Sequence, residues 1–223
     1  MRRKTQLIVA LDVDSFAKAR HFINLLYPKV RIFKVGLQLF TACGPAIINF
    51  IQKKGAKVFL DLKLFDIPNT VAHAVREAVK LRVAMLTLHI SGAGEMLIAA
   101  VKAADEEAKK LKVKRPALIG ITVLTSQQVS ADKVLTLAKE GLSCGLDGVV
   151  CSVREASFLR QEIKKNFLII TPGIRLEKSG KDDQKRVATF KDAVLAGVDF
   201  AVMGRPILEA AQPQATVKQL LSD

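Results

Sequence analysis

The sequence predicts an α/β fold: a single-domain (β/α)8 TIM barrel with parallel β-strands, spanning residues 1–223. Three observations predict it. Short apolar runs alternate with amphipathic stretches along the whole chain, and the alternation occurs eight times. The apolar runs are continuous rather than polar at every second position, which suits a parallel sheet covered by helices. Eight strand–helix units of about 28 residues each use the whole length, with no linker, low-complexity segment or second domain left over.

The elements follow in order. Residues 6–13 form the first apolar run, and 15–26 an amphipathic helix. Residues 31–36 are the second strand, followed by a helix at 45–54. Gly55 ends that helix, because glycine tolerates a left-handed cap. Residues 57–63 and 69–81 are the third pair, 83–90 and 94–111 the fourth. Residues 117–123 and 131–144 are the fifth pair, 148–151 and 153–165 the sixth. Residues 167–171 and 181–196 are the seventh, 198–203 and 207–221 the eighth. A doubly wound open sheet is the alternative. It usually has a glycine-rich turn after its first strand, and Asp12-Val13-Asp14-Ser15 is not one.

Composition bounds the function. Half of the residues are hydrophobic, enough for one sizeable core. Lys and Arg number 35 against 21 Asp and Glu, a net charge of +14 that attracts anions. Aromatic content is 5% and Trp is absent, which is poor material for stacking bases. The basic residues read as scattered over helix faces, as at Lys109-Lys110 and Lys164-Lys165. Neither nucleic acid nor a membrane is therefore the expected partner. Cys43, Cys144 and Cys151 are odd in number and lack Cys-x-x-Cys spacing, so neither a disulfide framework nor a zinc site is expected. Three reduced, mostly buried thiols in a cytoplasmic protein is the reading. The apolar run from Leu7 to Leu11 is too short for a signal sequence and meets Asp12 directly.

The chemistry gathers where strands end. Asp61-Leu62-Lys63-Leu64-Phe65-Asp66-Ile67-Pro68-Asn69-Thr70 follows the buried run Lys57-Val58-Phe59-Leu60. Alternate strand residues share a face, so Asp61 and Lys63 point into one interior. Burying charge costs several kcal/mol unless it is paired. A structural salt bridge capping the strand is the plain alternative. Function in such a barrel sits at the carboxyl ends of the strands. Those positions hold Asp12, Lys34, Asp61, Lys63, Asp66, His89, Thr125, Arg175, Gln184, Gly204 and Arg205. Lys34, Asp61, Lys63 and Asp66 would alternate in sign around one cavity, each charge holding its neighbours ionised.

A second constellation is C-terminal. Gly204-Arg205-Pro206-Ile207 lies between the last strand and helix, with Pro206 suited to a first turn. Backbone N–H groups and a guanidinium there suit a phosphate. Thr171-Pro172-Gly173-Ile174-Arg175 ends the seventh strand. The polar stretch 176–184 after it has the length and composition of a mobile lid over an anion, or of a long surface loop.

With these residues the chain resembles the bacterial type of the orotidine 5'-phosphate decarboxylase family over nearly its whole length. Ala10-Leu11-Asp12, Phe33-Lys34-Val35-Gly36, the run from Asp61 to Thr70, Thr122-Val123-Leu124-Thr125-Ser126, Pro172-Gly173-Ile174-Arg175 and Gly204-Arg205-Pro206-Ile207 carry the resemblance. Asp-x-Lys-x-x-Asp alone is shared with sibling barrels, among them a keto-gulonate phosphate decarboxylase and a hexulose phosphate synthase. Ile67-Pro68-Asn69-Thr70 resembles the pyrimidine enzyme. The chain departs at Leu37-Gln38, where Met-Glu is common, and at Phe190, where Pro is common.

The resemblance implies loss of CO2 from orotidine 5'-phosphate to give UMP, with no metal and no cofactor. It implies Lys63 as proton donor to C6, and Asp61 beside the substrate carboxylate, holding Lys63 and Lys34. It places Asp12 and Lys34 at the ribose hydroxyls, Thr125 at the base, and Gln184 between base and phosphate. Arg175, Gly204 and Arg205 would hold the phosphate. Asp66, Ile67 and Thr70 would reach the neighbouring subunit's site, which implies a homodimer. His89 reads better as a hydrogen-bonded residue of the barrel mouth than as a catalyst. A metal-dependent sugar-phosphate decarboxylase or aldolase on the same scaffold is the second reading. A phosphate-ligand or nucleic-acid binder is the third, and it gives no reason for Asp61 and Asp66 beside an anion site.

Overall fold

A computed structural model describes residues 4–123, 129–176 and 188–222. Eight parallel strands close into a barrel: β1 (Gln6–Ala10), β2 (Ile32–Gly36), β3 (Lys57–Leu64), β4 (Met85–His89), β5 (Ala117–Ile121), β6 (Gly148–Val150), β7 (Leu168–Thr171) and a last strand at Phe200–Met203. That last strand pairs with both β1 and β7, so the sheet has no edge. Two further strands, β8 (Ile174–Arg175) and β9 (Ala188–Thr189), form a small parallel pair outside the barrel, which makes Phe200–Met203 β10.

The period of two along each strand divides the core. One buried cluster takes Ile8, Ala10, Ile32, Phe59, Met85, Ile119, Ile121, Val150, Ile170 and Val202 from all eight barrel strands, and fills the barrel interior. The other takes the intervening residues, such as Val9, Phe33, Leu60 and Leu86, together with the apolar stripes of the helices. The strand sequences are apolar on both faces because both faces are covered, which is why they read as continuous runs.

The helices are α1 (Phe16–Leu26), α2 (Leu37–Cys43), α3 (Pro45–Lys53), α4 (Pro68–Lys80), α5 (Ala93–Leu111), α6 (Ala131–Ser143), α7 (Val153–Glu162), α8 (Phe190–Leu195), α9 (Arg205–Leu208) and α10 (Pro213–Ser222). Most expected elements stand within a few residues of their expected limits, and Gly55 takes the expected left-handed conformation, φ +84. Four differ. Helix α2 was not expected; Gly36 opens it, and Gly44 and Pro45 separate it from α3. The helix expected at 153–165 stops at Glu162, since Ile163 is extended, so Lys164 and Lys165 lie beyond it. The helix expected at 181–196 is, within the described residues, only α8. Thr189 and Asp192 close a capping box at its start, and residues 188 and 189 are strand. The helix expected at 207–221 is two, with Pro213 beginning the second.

Two expectations about side chains also change. Only Cys151 is buried; Cys43 and Cys144 are half-exposed. Burial pushes the Cys151 thiol well above its ordinary range, with the Glu155 charge adding to the effect. Nor are all the cations on helix faces: exposed Lys29, Arg31, Lys54, Lys57, Arg82 and Lys114 lie at or just before the starts of β2 to β5, at the end of the barrel opposite the cavity described below.

Leu86 is fully buried between β4 and the helices. Leu86→Ala is expected to lower unfolding stability by about 2–5 kcal/mol through lost transfer energy and a residual cavity. A urea titration measures this, and a midpoint equal to wild type contradicts the packing described.

Candidate active site

Following the inward rows of β1, β2 and β3 towards their carboxyl ends, apolar residues give way to charged ones: Ala10 is followed by Asp12, Ile32 by Lys34 and Phe59 by Asp61, while on β10 Val202 is followed by Gly204. Apart from Ile32, these residues line a cavity of about 300 Å³ at the barrel mouth. Its floor is apolar, built from Phe59, Ile121, Val150, Ile170 and Val202. Its rim carries Lys63, Gly173, Arg175, Arg205 and Pro206.

Four charges of alternating sign cross this mouth. The Lys34 ammonium lies 3.0 Å from Asp12 Oδ1 and 3.5 Å from Asp61 Oδ2. Lys63 Nζ donates to the same Asp61 Oδ2 at 2.8 Å. Asp61 is 8% exposed, so its charge depends on these partners. Its other oxygen, Oδ1, accepts from the Thr87 hydroxyl at 2.9 Å. The Thr87 hydroxyl in turn accepts from the Lys63 backbone N–H at 2.8 Å.

The expectation that Asp61 and Lys63 meet is correct, but plain strand alternation is not the whole reason. The β3–β4 register shifts between Leu60 and Leu64, and Lys63 has a left-handed backbone, φ +52. A side chain is re-aimed there by an irregular strand, as bulges near active sites do. Close approach also explains two glycines. A Cβ on Gly36 would stand 3.0 Å from Lys34 Nζ, and one on Gly204 3.1 Å from Asp12 Oδ2.

Of the residues singled out in the sequence, Asp12, Lys34, Asp61, Lys63, Arg175, Gly204 and Arg205 converge on the cavity. Asp66 does not line the cavity of its own chain. It is exposed, and its Oδ1 accepts from the Ile67 N–H at 2.7 Å. Within one chain the alternating array is completed by Asp12 instead. Ile67 and Thr70 are exposed beside it. Thr125 and Gln184 lie outside the described residues, as does most of the 176–184 stretch. Sequence reading missed Thr87, a hydroxyl within the apolar run Met85-Leu86-Thr87-Leu88. That misplaced polarity was the available signal. Among the described residues no three His, Cys, Asp or Glu are grouped to hold a metal ion.

Chemically, the apolar floor suits a flat ring, the two arginines suit an anion, and Lys63 offers a proton beside a carboxylate that holds its ammonium in place. The sequence model of the orotidine 5'-phosphate decarboxylase / HUMPS family matches residues 5–220. The chain belongs to this family. It is 43% identical to the orotidine 5'-phosphate decarboxylase of Coxiella burnetii, covering 98% of this chain and 96% of that one. It is 42% identical to the Vibrio cholerae orotidine 5'-phosphate decarboxylase, covering 97% of each. A crystal structure of the Lactobacillus acidophilus orotidine 5'-phosphate decarboxylase superposes with a TM-score of 0.85 at 33% identity, over 98% of both chains. The family resemblance drawn from the Asp61-to-Thr70 run is thus correct, and so is the closed barrel.

His89 ends β4 half-buried, its ring packed edge-on against Phe65 at 5.7 Å. Ring packing, rather than the expected hydrogen bond, is its contact among the described residues. Burial lowers its pKa, the Lys63 charge lowers it further, and Asp61 opposes. The folded chain therefore binds this proton less readily than the unfolded one. The group is without cost well above histidine's ordinary 6.5, and it weakens the fold progressively as pH falls below that value. Titration by NMR is expected to give His89 a midpoint below 6.5, moving upward in Lys63→Ala. A midpoint at or above 6.5 in the wild type contradicts this environment.

Proposed function

We propose that this chain decarboxylates orotidine 5'-phosphate to UMP and CO2, as part of pyrimidine biosynthesis in the cytoplasm, with no metal or organic cofactor. The observation that carries the proposal is the alternating chain Asp12–Lys34–Asp61–Lys63 above an apolar floor. The names of the family and of its curated relatives agree with it.

In this reading the pyrimidine lies on the apolar floor and its carboxylate stands near Asp61. The bond from C6 to the carboxylate breaks heterolytically. CO2 leaves, the electron pair stays on C6, and Lys63 Nζ delivers a proton to that carbon. Water restores the proton to the lysine. The carbanion has no neighbouring electron sink, so catalysis rests on a cation already in place before charge develops. Asp61 holds Lys63 and Lys34 in that arrangement. Asp12 and Lys34 face the ribose hydroxyls, Arg175, Gly204 and Arg205 the phosphate, and Thr125 and Gln184 the base and the phosphate.

Asp66, Ile67 and Thr70 would complete the site of a partner in a homodimer. Their exposure supports this, since Phe65 and Ile67 put apolar surface, 61% and 66% exposed, beside a carboxylate that does not line its own chain's cavity. Mixing two inactive homodimers, Lys63→Ala and Asp66→Ala, is expected to restore roughly a quarter of all sites after random subunit exchange. Heterodimers confirmed by mass yet without regained activity would show that Asp66 serves its own subunit.

The reaction is tested by loss of absorbance on mixing the protein with orotidine 5'-phosphate in excess chelator. Activity under chelation separates this reading from a metal-dependent sugar-phosphate decarboxylase or aldolase, and no turnover sinks it. Lys63→Ala is expected to stay folded, to bind UMP and to lose nearly all kcat. Retention of a tenth of wild-type kcat, a barrier change of only about 1.4 kcal/mol, would falsify the role of Lys63.

A further inference from the structure

The geometry points to Thr87 as a positioning residue that sets both the aim of Lys63 and the placement of the Asp61 carboxylate through one buried hydroxyl. The inference rests on the reading of Lys63 as proton donor and goes one residue deeper. Strand β4 contributes Met85, Thr87 and His89 to the barrel interior, and Met85 packs in the apolar interior cluster. Thr87 is fully buried. A hydroxyl in that place costs free energy unless it makes hydrogen bonds, and it makes two.

The first bond replaces part of the sheet. Between Leu60 and Leu64 the β3–β4 ladder is out of register, so the Lys63 N–H has no regular strand partner. Thr87 Oγ1 accepts it at 2.8 Å, which anchors a lysine whose backbone is left-handed, φ +52. A non-glycine residue persists in that conformation only where its surroundings hold it. The second bond leaves from the same oxygen. Its proton goes to Asp61 Oδ1 at 2.9 Å, leaving Oδ2 for Lys63 and Lys34. The hydroxyl therefore ties the main chain of Lys63 to the carboxylate that holds its ammonium.

The test compares Thr87→Val, which keeps shape and loses the hydroxyl, with Thr87→Ser, which keeps the hydroxyl. Wild-type turnover without metal is established first; its failure overturns the function and leaves the geometry of Thr87 to be judged by the activity-independent arm below. With turnover in hand, Thr87→Val is expected to lower kcat by about 10- to 100-fold with KM changed less than about threefold. Thr87→Ser is expected to recover most of kcat.

The groups facing Asp61 are Lys63 on its own strand, Lys34 on β2 with Asp12 behind it, and Thr87 and His89 on β4. Independently of turnover, the Lys63 amide should lose its hydrogen-exchange protection in Thr87→Val and keep it in Thr87→Ser. If Thr87→Val does not fold, Thr87→Cys, a weak donor of similar size to serine, takes its place against Thr87→Ser. A folded Thr87→Val with wild-type kcat and amide protection overturns the inference. So does a serine variant as impaired as the valine one, which would make Thr87 a packing residue.

Discussion

Asp61 is a carboxylate that the barrel has almost sealed from water, and the site is organised around that fact. A buried carboxylate on its own would take up a proton or unfold its surroundings. Here every lone-pair direction with a donor in reach is used: Thr87 on one oxygen, Lys63 and Lys34 on the other. The same contacts hold the two ammonium groups and the carboxylate against one another. Asp12 extends the array outward, where its side chain is half-exposed and needs less support. An array of this kind is weak evidence for stability, since desolvation offsets much of the attraction. What it provides is charge fixed in position ahead of any ligand.

The barrel supplies that fixity through strand parity. Because side chains alternate, the inward rows of β1, β2 and β3 run from the apolar interior to a charged rim. Floor and charges are thus set by the same backbone ladder, and a shift of one residue in any strand would exchange its cavity face for its helix face. The structure departs from parity at one place, the irregular end of β3, where Lys63 is turned left-handed. That departure brings the lysine over the carboxylate, and β4 accommodates it with a side-chain hydroxyl in place of a main-chain partner.

The net charge of the chain is a poor guide to this cavity, because several lysines and arginines at the starts of β2 to β5 sit exposed at the other end of the barrel. At the mouth, Lys34 and Lys63 face Asp12 and Asp61. The anion-facing groups are two arginines, Arg175 in β8 and Arg205 at the start of α9.

The sequence by itself determined the eightfold strand–helix alternation, the closed parallel sheet and the strand ends where charge collects, because these follow from local hydrophobic period and from the rarity of charge beside buried strands. Asp12, Lys34, Asp61, Lys63, Arg175, Gly204 and Arg205 were legible for that reason, and all line one cavity. Capping and helix breaks were less legible. Helix α2 and the split before Pro213 depend on turns whose cost is offset by packing, and period alone does not reveal packing. Three matters only the tertiary structure decided. Asp66 turns away from its own chain's cavity, since Ile67 N–H and the start of α4 fix its carboxylate outward. Lys63 reaches Asp61 through an irregular strand rather than simple alternation. Thr87, 26 residues from Asp61 in the chain, becomes its nearest hydroxyl donor. Strand pairing is a long-range contact, and no local pattern specifies which side chain of one strand will lie beneath which carboxylate of the next.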